Sequence, residues 1–296
     1  MYKRQGNSCV INHQTLAHLT PEKQADYLSH FRADNIVRDA ELIREQFGVE
    51  KWAILGQSFG GFCCLTYLSL FPSSLLQSYI TGGVPSISRH ADDVYQATSR
   101  RTMEKNQAFF QQFPQAQQLC QNIASHLLKN EEFLPNGQRF TVEQFQQIGI
   151  NFGVSDTFLP TYYWLESALI EVNGKPRLRY EFLNDMLAQQ NFQTNPIYAI
   201  LHESIYCQGS ASQWSAHRVR QEYDAFNYEQ GKPFYFTGEM VFPWMFDQYL
   251  NLKPLKLAAE LLAKKSDWAP LYNAHQLANN KVPISCAVYA LSLIHI

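Results

Sequence analysis

A serine flanked by glycines is the residue of this sequence best placed to do chemistry. The segment Gly56-Gln57-Ser58-Phe59-Gly60 fits the pattern G-x-S-x-G, in which a strand turns sharply into a helix and the serine hydroxyl projects from the turn. A hydroxyl held in this way can attack an acyl group. The backbone N–H of Phe59, at the start of the helix, would then bind the negative charge that develops on the acyl oxygen. The pattern therefore predicts acyl transfer through Ser58.

The residues around this serine are of the types that such a turn requires. Residues 51–55 form a short apolar run that predicts a strand, and residues 59–71 predict a helix that ends before Pro72. Glycine at positions 56 and 60, with a further glycine at 61, would let the strand and the helix approach closely.

A serine nucleophile also needs a base to take its proton and an acid to orient that base. In proteins with this turn, the acid and then the histidine follow the serine along the chain. The last predicted strand, residues 282–290, is followed by Leu291 and Ser292 instead of a carboxylate, and the only later histidine is His295. Residues 1–50 contain no glycine-rich loop that would supply a second oxyanion donor. We therefore expect the catalytic triad to be incomplete in this chain.

The order of the predicted elements indicates an α/β fold. A helical pattern at 21–47, with a break near 32–34, precedes the strand before Ser58, and a second strand is predicted at 76–81. Alternating helices and strands are typical of a parallel sheet covered by helices. Helical patterns then dominate before the strand at 282–290, so we predict an incomplete parallel sheet with a large helical cap. The predicted divisions are 1–85 for the first part of the sheet domain, 86–275 for the cap and 276–296 for the return to the sheet.

The composition narrows the class of protein and of partner. The chain has 296 residues, of which 46% are hydrophobic, 14% aromatic and 17% charged, and its net charge is −2. No basic run indicates binding to nucleic acid or to an anionic membrane, and no apolar stretch reaches the roughly 18 residues of a membrane span. No signal peptide is recognisable, and six cysteines without a C-x-x-C pair indicate reduced thiols, so we expect a cytoplasmic protein. The sequence predicts no cofactor and leaves the oligomeric state open.

Longer runs of the sequence resemble one family. The runs are residues 25–41, 55–62, 81–83 and 91–95 and, in the predicted cap, NPIYAILHE at 195–203 and FTGEMVFPWMF at 236–246. They are similar to the prolyl aminopeptidase (proline iminopeptidase) family of α/β-hydrolases in its longer bacterial form, and the resemblance covers roughly residues 15–290. The first five and last six residues look unrelated to the remainder. We therefore expect a fragment that is truncated at both ends.

The resemblance implies removal of an N-terminal proline from a peptide, with Ser58 as the nucleophile and the Phe59 amide as an oxyanion donor. It also implies that cap carboxylates bind the free α-amino group of the peptide substrate, and the matching positions are Glu203 and Glu239. A carboxylate in a partly dry pocket would bind such a cation strongly. The residues that we expect to pack on the pyrrolidine ring are Tyr206, Phe242, Trp244 and Phe246.

Each of these assignments has an alternative. A single glutamate is more often a surface or structural residue, and aromatic side chains more often fill a core than line a pocket. His202-Glu203 begins like the zinc-binding pattern H-E-x-x-H, but Tyr206 stands where the second histidine is needed, so we predict no metal site. The turn at Ser58 also serves esterases and amidases, and a chain without the triad acid and base could be a non-catalytic, hydrolase-like module.

Overall fold

Residues 13–81 form the helices and strands that the sequence predicts around Ser58. The computed structural model describes residues 13–289. The elements of the first part are α1 (His13–Leu16), α2 (Pro21–Ser29), α3 (Ala33–Gln46), β1 (Trp52–Gln57), α4 (Phe59–Leu70) and β2 (Leu75–Thr81). The predicted break near residues 32–34 is confirmed, because α2 ends before it and α3 begins within it. Strands β1 and β2 are parallel, with Leu55 opposite Tyr79.

Helices α3 and α4 cover one face of this sheet, and its other face is bare in the part that the structure describes. A small core joins the two helices to the strands; its buried members are Val37, Tyr67, Leu68 and Leu75. On the opposite face Leu55 is 74% exposed and Tyr79 is 40% exposed. Parallel sheets ordinarily have both faces covered. The described residues therefore form two layers of an arrangement that usually has three.

The chain then leaves the sheet and forms the predicted cap. Its elements are α5 (Ala91–Gln112), α6 (Pro114–Lys129), β3 (Glu132–Phe133), β4 (Arg139–Phe140), α7 (Val142–Gln146), α8 (Phe158–Ser167), β5 (Leu169–Val172), β6 (Lys175–Leu178), α9 (Tyr180–Ala188), α10 (Asn191–Thr194), α11 (Pro196–Ile200), α12 (Ser215–Arg220), α13 (Met245–Gln248) and α14 (Lys256–Lys264). The prediction of a largely helical region is confirmed. Two short antiparallel hairpins, β3–β4 and β5–β6, were not predicted. Asn136-Gly137 and Asn173-Gly174 lie at their turns and are the usual sequence signal for a hairpin.

Two apolar cores hold the cap together. The first, called the aromatic core here, is built from α5 to α9 and residues 234–236; its phenylalanines are Phe109, Phe140, Phe145, Phe152, Phe182, Phe234 and Phe236. The second, called the joint core, includes Leu28 of α2, Tyr95 of α5 and Leu262 of α14. The joint core therefore connects the cap to a helix that precedes the sheet.

After the cap the chain returns to the sheet. Helix α15 (Ala274–Ala278) contacts α4, and β7 (Ile284–Ala287) pairs in parallel with β2, so the strand order is β1-β2-β7. The predicted strand at 282–290 is confirmed in position, although residue 290 lies outside the described residues. The apolar composition of this run predicts a buried strand, and that prediction is wrong, because all four residues of β7 are exposed at the edge of the described sheet.

The contacts of α2 bear on the predicted domain divisions. Helix α2 packs against α14 of the cap, so the first part of the chain contacts both the sheet and the cap. The divisions at 85/86 and 275/276 stay predictions. Within residues 13–289, no helix is both long and apolar enough to cross a membrane.

Candidate functional site

Ser58 lies at a strained turn between β1 and α4. Its backbone has φ 53° and ψ −124°, a conformation that residues other than glycine adopt only where the surrounding structure enforces it. The Ser58 N–H donates to the carbonyl of Thr81 at 3.0 Å, and the Ser58 carbonyl accepts from the Gly61 N–H at 2.8 Å. These bonds fasten the turn to the carboxyl end of β2 and leave Ser58 exposed there.

Close backbone contacts explain two of the glycines at this turn. A Cβ on Gly56 would lie 2.1 Å from the carbonyl oxygen of Gly60, and one on Gly61 would lie 2.1 Å from that of Gly83. The predicted close approach is therefore confirmed at positions 56 and 61. At Gly60 an added Cβ would meet no described atom within 4 Å. Among the described residues, therefore, no steric contact requires a small side chain at position 60.

The structure describes the residue that is the predicted oxyanion donor, but it does not describe residues 291–296, which bear on the predicted gap in the triad. Phe59 is the first residue of α4, and the N–H groups of the first turn, which have no acceptor within the helix itself, stabilise a nearby negative charge. Within residues 13–289, the Ser58 hydroxyl has no hydrogen bond to a histidine. Residues 291–296, on which the expectation of a missing acid and base rested, lie outside the described residues. The roles of Ser58 and Phe59 and the incomplete triad therefore stay predictions.

Aromatic side chains connect α4 to the two predicted glutamates of the cap. The ring of Phe62 lies 5.7 Å from that of Phe59 and 5.7 Å from that of Tyr206, between centroids. Tyr206 is close enough to Glu239 and Glu203 for both charges to raise the pKa of its hydroxyl, in addition to the larger effect of burial. The structure thus brings the helix that begins after Ser58 and both glutamates into one region.

Glu203 is held by the protein itself. It is 6% exposed, and its carboxylate accepts the N–H of Ser215 at 3.1 Å and that of Ala216 at 2.9 Å. These are the first two N–H groups of α12, which have no partner within the helix. Burial raises the pKa of Glu203, and the two amides oppose that shift. Glu203 therefore stabilises the start of α12, and its contact with a substrate stays a prediction.

Glu239 has different surroundings. It is partly exposed, and its carboxylate accepts a hydrogen bond from the hydroxyl of Tyr198. Burial raises the pKa of Glu239 to about 7, against the smaller opposite effect of Tyr198. No lysine or arginine among residues 13–289 forms an ion pair with this carboxylate. The raised pKa is therefore the effect of burial without a paired cation, and binding of a substrate amine by Glu239 stays a prediction.

The predicted aromatic residues separate into two pairs. Tyr206 and Trp244 are partly exposed, whereas Phe242 and Phe246 are buried in the joint core. Trp244 stacks on Phe242, with 6.1 Å between ring centroids and 18° between ring planes. Phe242 therefore supports the ring of Trp244. The contacts of all four with a pyrrolidine ring stay predictions.

Comparison with known proteins places this chain in a family. A model described as the alpha/beta hydrolase fold matches residues 13–227. The chain belongs to the α/β-hydrolase family. It is 58% identical over 286 residues to the proline iminopeptidase of Aeromonas sobria, an alignment that covers 96% of this chain and 66% of the relative. It is 35% identical over 294 residues to proline iminopeptidase aneH of Aspergillus aculeatus, which covers 95% of this chain and 64% of the relative.

These comparisons confirm the resemblance and the fold class that the sequence predicts. The chain spans about two thirds of the length of these curated relatives. The turn at Ser58, with β1 and α4 on either side, lies within the matched region, and so does Glu203.

Two further tyrosines, Tyr95 and Tyr198, lie in this region and are not among the predicted site residues. Tyr95 is 1% exposed, and its hydroxyl has no hydrogen-bond partner among the described residues. Burial and the charges of Glu203 and Glu239 raise its pKa. Tyr198 lies within the run 195–203, where it precedes Glu203 by five residues. Local spacing gives no sign of its bond to Glu239, because the two are 41 residues apart.

A cavity lies elsewhere in the cap, away from the predicted site residues. Its volume is about 470 Å³, and its lining includes Arg139, Glu143, Gln146, Arg220 and Gln248. None of the predicted site residues lines it. In the described part of the chain, no group of three or more histidine, cysteine or acidic side chains is arranged to hold a metal ion.

Proposed function

We propose that the protein to which this chain belongs is a serine aminopeptidase that releases an N-terminal proline from peptides. The observation that carries the proposal is the partly desolvated carboxylate of Glu239, which has no cationic partner among residues 13–289. It lies near Tyr206, whose ring packs against Phe62 of the helix that follows Ser58. The identities to two proline iminopeptidases support the proposal. The proposed location is the cytoplasm, on the cysteine pattern of the sequence.

The chemistry follows from the turn at Ser58. The Ser58 hydroxyl oxygen attacks the carbonyl carbon of the N-terminal prolyl residue, and the N–H of Phe59 binds the oxygen that becomes negative. The C–N bond then breaks, the leaving amine takes a proton, and water hydrolyses the acyl-enzyme to release proline. A histidine base and its acid come from parts of the protein outside the described residues.

Recognition of the N-terminus follows from the cap. A prolyl residue at the start of a peptide carries a cationic secondary amine on an apolar ring. Glu239 would pair with the amine, and the partly exposed faces of Tyr206 and Trp244 would contact the ring. A peptide whose first amine is acylated offers no cation, so the same pocket would reject it.

The full-length protein that contains this chain provides the test. We expect hydrolysis of proline 4-nitroanilide with a kcat/KM at least roughly tenfold above that for alanine 4-nitroanilide, and loss of that activity in Ser58→Ala. Glu239→Gln should raise KM for the proline substrate by roughly tenfold to a hundredfold, the range for a hydrogen bond to a charged group. Glu171→Gln, at an exposed glutamate of β5, is the matched control.

Two results would reject the proposal. One is equal activity towards the two nitroanilides, and the other is full activity in Ser58→Ala. If Glu239→Gln left KM unchanged while a neutral ester such as 4-nitrophenyl acetate was the better substrate, the protein would be an esterase of the same fold.

A further inference from the structure

Tyr198 is the residue that fixes the Glu239 carboxylate. Its hydroxyl donates to Glu239 Oε1, and its ring is itself held in place. The ring stacks on Phe192 with 4.8 Å between centroids and 20° between planes, and it meets His202 edge-on at 5.2 Å. A tyrosine ring packed on two sides has little rotational freedom, so its hydroxyl is held in one position.

The backbone of Glu239 offers less support. Glu239 lies in an irregular segment with no helix or strand between residue 232 and α13. The imidazole Nε2 of His202 is 3.4 Å from the Glu239 backbone oxygen, but that contact does not orient the carboxylate. Of the described residues, Tyr198 alone is hydrogen-bonded to this carboxylate, and it engages Oε1, which leaves Oε2 for a ligand.

We propose that Tyr198 is a positioning residue, which orients the Glu239 carboxylate so that it can receive the ammonium group of the substrate. The inference rests on the proposed function and adds a residue to it. A carboxylate held by a donor is pre-organised, and a ligand that binds it does not have to order it first.

The other ionisable groups near Glu239 do not replace Tyr198. Glu203 is bound to the start of α12, and buried His202 has its pKa lowered to about 4, so its ring is neutral at neutral pH. Tyr95 and Tyr206 lie near the carboxylate and feel its charge. Burial raises the pKa of Tyr198 as well, so its hydroxyl stays protonated and donates across the working pH range.

Binding of prolinamide to the full-length protein that contains this chain is measured by calorimetry in a Ser58→Ala background, which prevents turnover. It separates this inference from the catalytic proposal, because binding needs no catalysis. Tyr198→Phe keeps the ring contacts and removes only the donor. We expect its Kd for prolinamide to rise roughly tenfold or more. Tyr163→Phe, at an exposed tyrosine of α8, is the control and should keep the wild-type Kd.

The pH dependence of that binding gives a second readout that general loosening of the fold would not produce. Binding requires the ionised carboxylate, so wild-type affinity should increase as the pH rises through about 7, the pKa of Glu239. The Tyr198 hydrogen bond lowers that pKa. In Tyr198→Phe the increase should therefore occur at higher pH.

The outcomes are distinguishable. If Glu239→Gln loses prolinamide and Tyr198→Phe keeps both the wild-type Kd and the wild-type pH midpoint, the role of Tyr198 is disproved and the proposed function stands. If Glu239→Gln binds prolinamide as the wild type does, amine recognition by this carboxylate is disproved, and the inference about Tyr198 fails with it.

Discussion

The strained backbone of Ser58 is maintained by residues outside the G-x-S-x-G pattern. A Cβ on Gly83 would lie 1.8 Å from the carbonyl oxygen of Ser58, and one on Gly61 would lie 2.1 Å from that of Gly83. Ser58 also donates its N–H to Thr81 at the end of β2. The position of the serine therefore depends on contact between the first turn of α4 and the residues that follow β2.

We predict that Gly61→Ala destabilises the chain and that Gly60→Ala does not. The Cβ at position 61 would meet a backbone oxygen, and relief requires movement of the helix or of the turn after β2, which costs roughly 1–3 kcal/mol. The Cβ at position 60 meets nothing within 4 Å, and alanine favours a helix over glycine by up to about 1 kcal/mol. Urea denaturation measures the free energy of unfolding of both variants and of the wild type. Equal loss of stability in the two would contradict the steric explanation.

At the scale of elements, a buried carboxylate holds α3 to α4. Glu41 of α3 accepts hydrogen bonds from Arg44 at 2.6 Å, from Ser74 at 2.6 Å and from the hydroxyl of Tyr67 on α4. The bond from Arg44 is the main reason that the pKa of Glu41 is lowered to about 2. A folded-state pKa below the ordinary value means that the stabilisation is present above pH 4.5 and is lost as the pH falls towards 2.

Glu41→Gln should therefore lower the free energy of unfolding at pH 7 by about 3 kcal/mol, the usual cost of removing one partner of a buried ion pair. The variant should also lose less stability than the wild type between pH 4.5 and pH 2.5. Glu45→Gln, at an exposed position of the same helix, is the control. An unchanged urea midpoint in Glu41→Gln at pH 7 would show that the network does not hold the helices together.

What the sequence predicts well at this scale is local. The elements on both sides of Ser58 follow from short apolar runs and from glycine and proline. The inner face of α3 is predicted only in part. The apolar residues at helical spacing are Ile36, Val37, Ala40, Leu42, Ile43 and Phe47. Val37 is buried, whereas Leu42, Ile43 and Phe47 are exposed, and the spacing overlooks the buried Glu41. That position is set by partners on α4 and the turn after it.

The same limit applies to the site. Ser58 and Glu239 belong to motifs of a few residues, so the sequence indicates them. The hydrogen bond from Tyr198 to Glu239 and the hydrogen bonds from the start of α12 to Glu203 both depend on how the cap folds. Sequence spacing describes neighbours along the chain, and these contacts join elements that are far apart in it.

At the scale of the molecule, the open sheet is the main feature. In the described part of the chain, β1 pairs only with β2, and one face of the sheet exposes Leu55 and Tyr79. An unpaired edge next to exposed apolar side chains favours association between chains. About one third of the length of each relative lies outside the aligned region. That is enough chain to form a further layer on the bare face of the sheet.

The 296-residue chain should therefore bind a hydrophobic dye such as ANS and show concentration-dependent light scattering. Leu55→Lys places a charge on the bare face and should reduce both signals. Tyr163→Lys changes an exposed aromatic residue of the cap and should leave both as they are. A chain that scatters light no more than a compact monomer, with no dye bound, would contradict the expectation.

Residues 234–242 run from one core of the cap to the other. Phe234 and Phe236 are packed in the aromatic core, residues 240–242 are packed in the joint core, and Glu239 lies between them. Helix α5 also joins the two cores, through Tyr95 and Phe109, so residues 234–242 are one of the connections between them. An amine bound by Glu239 would restrain this segment at its midpoint, and with it one of the connections between the two cores.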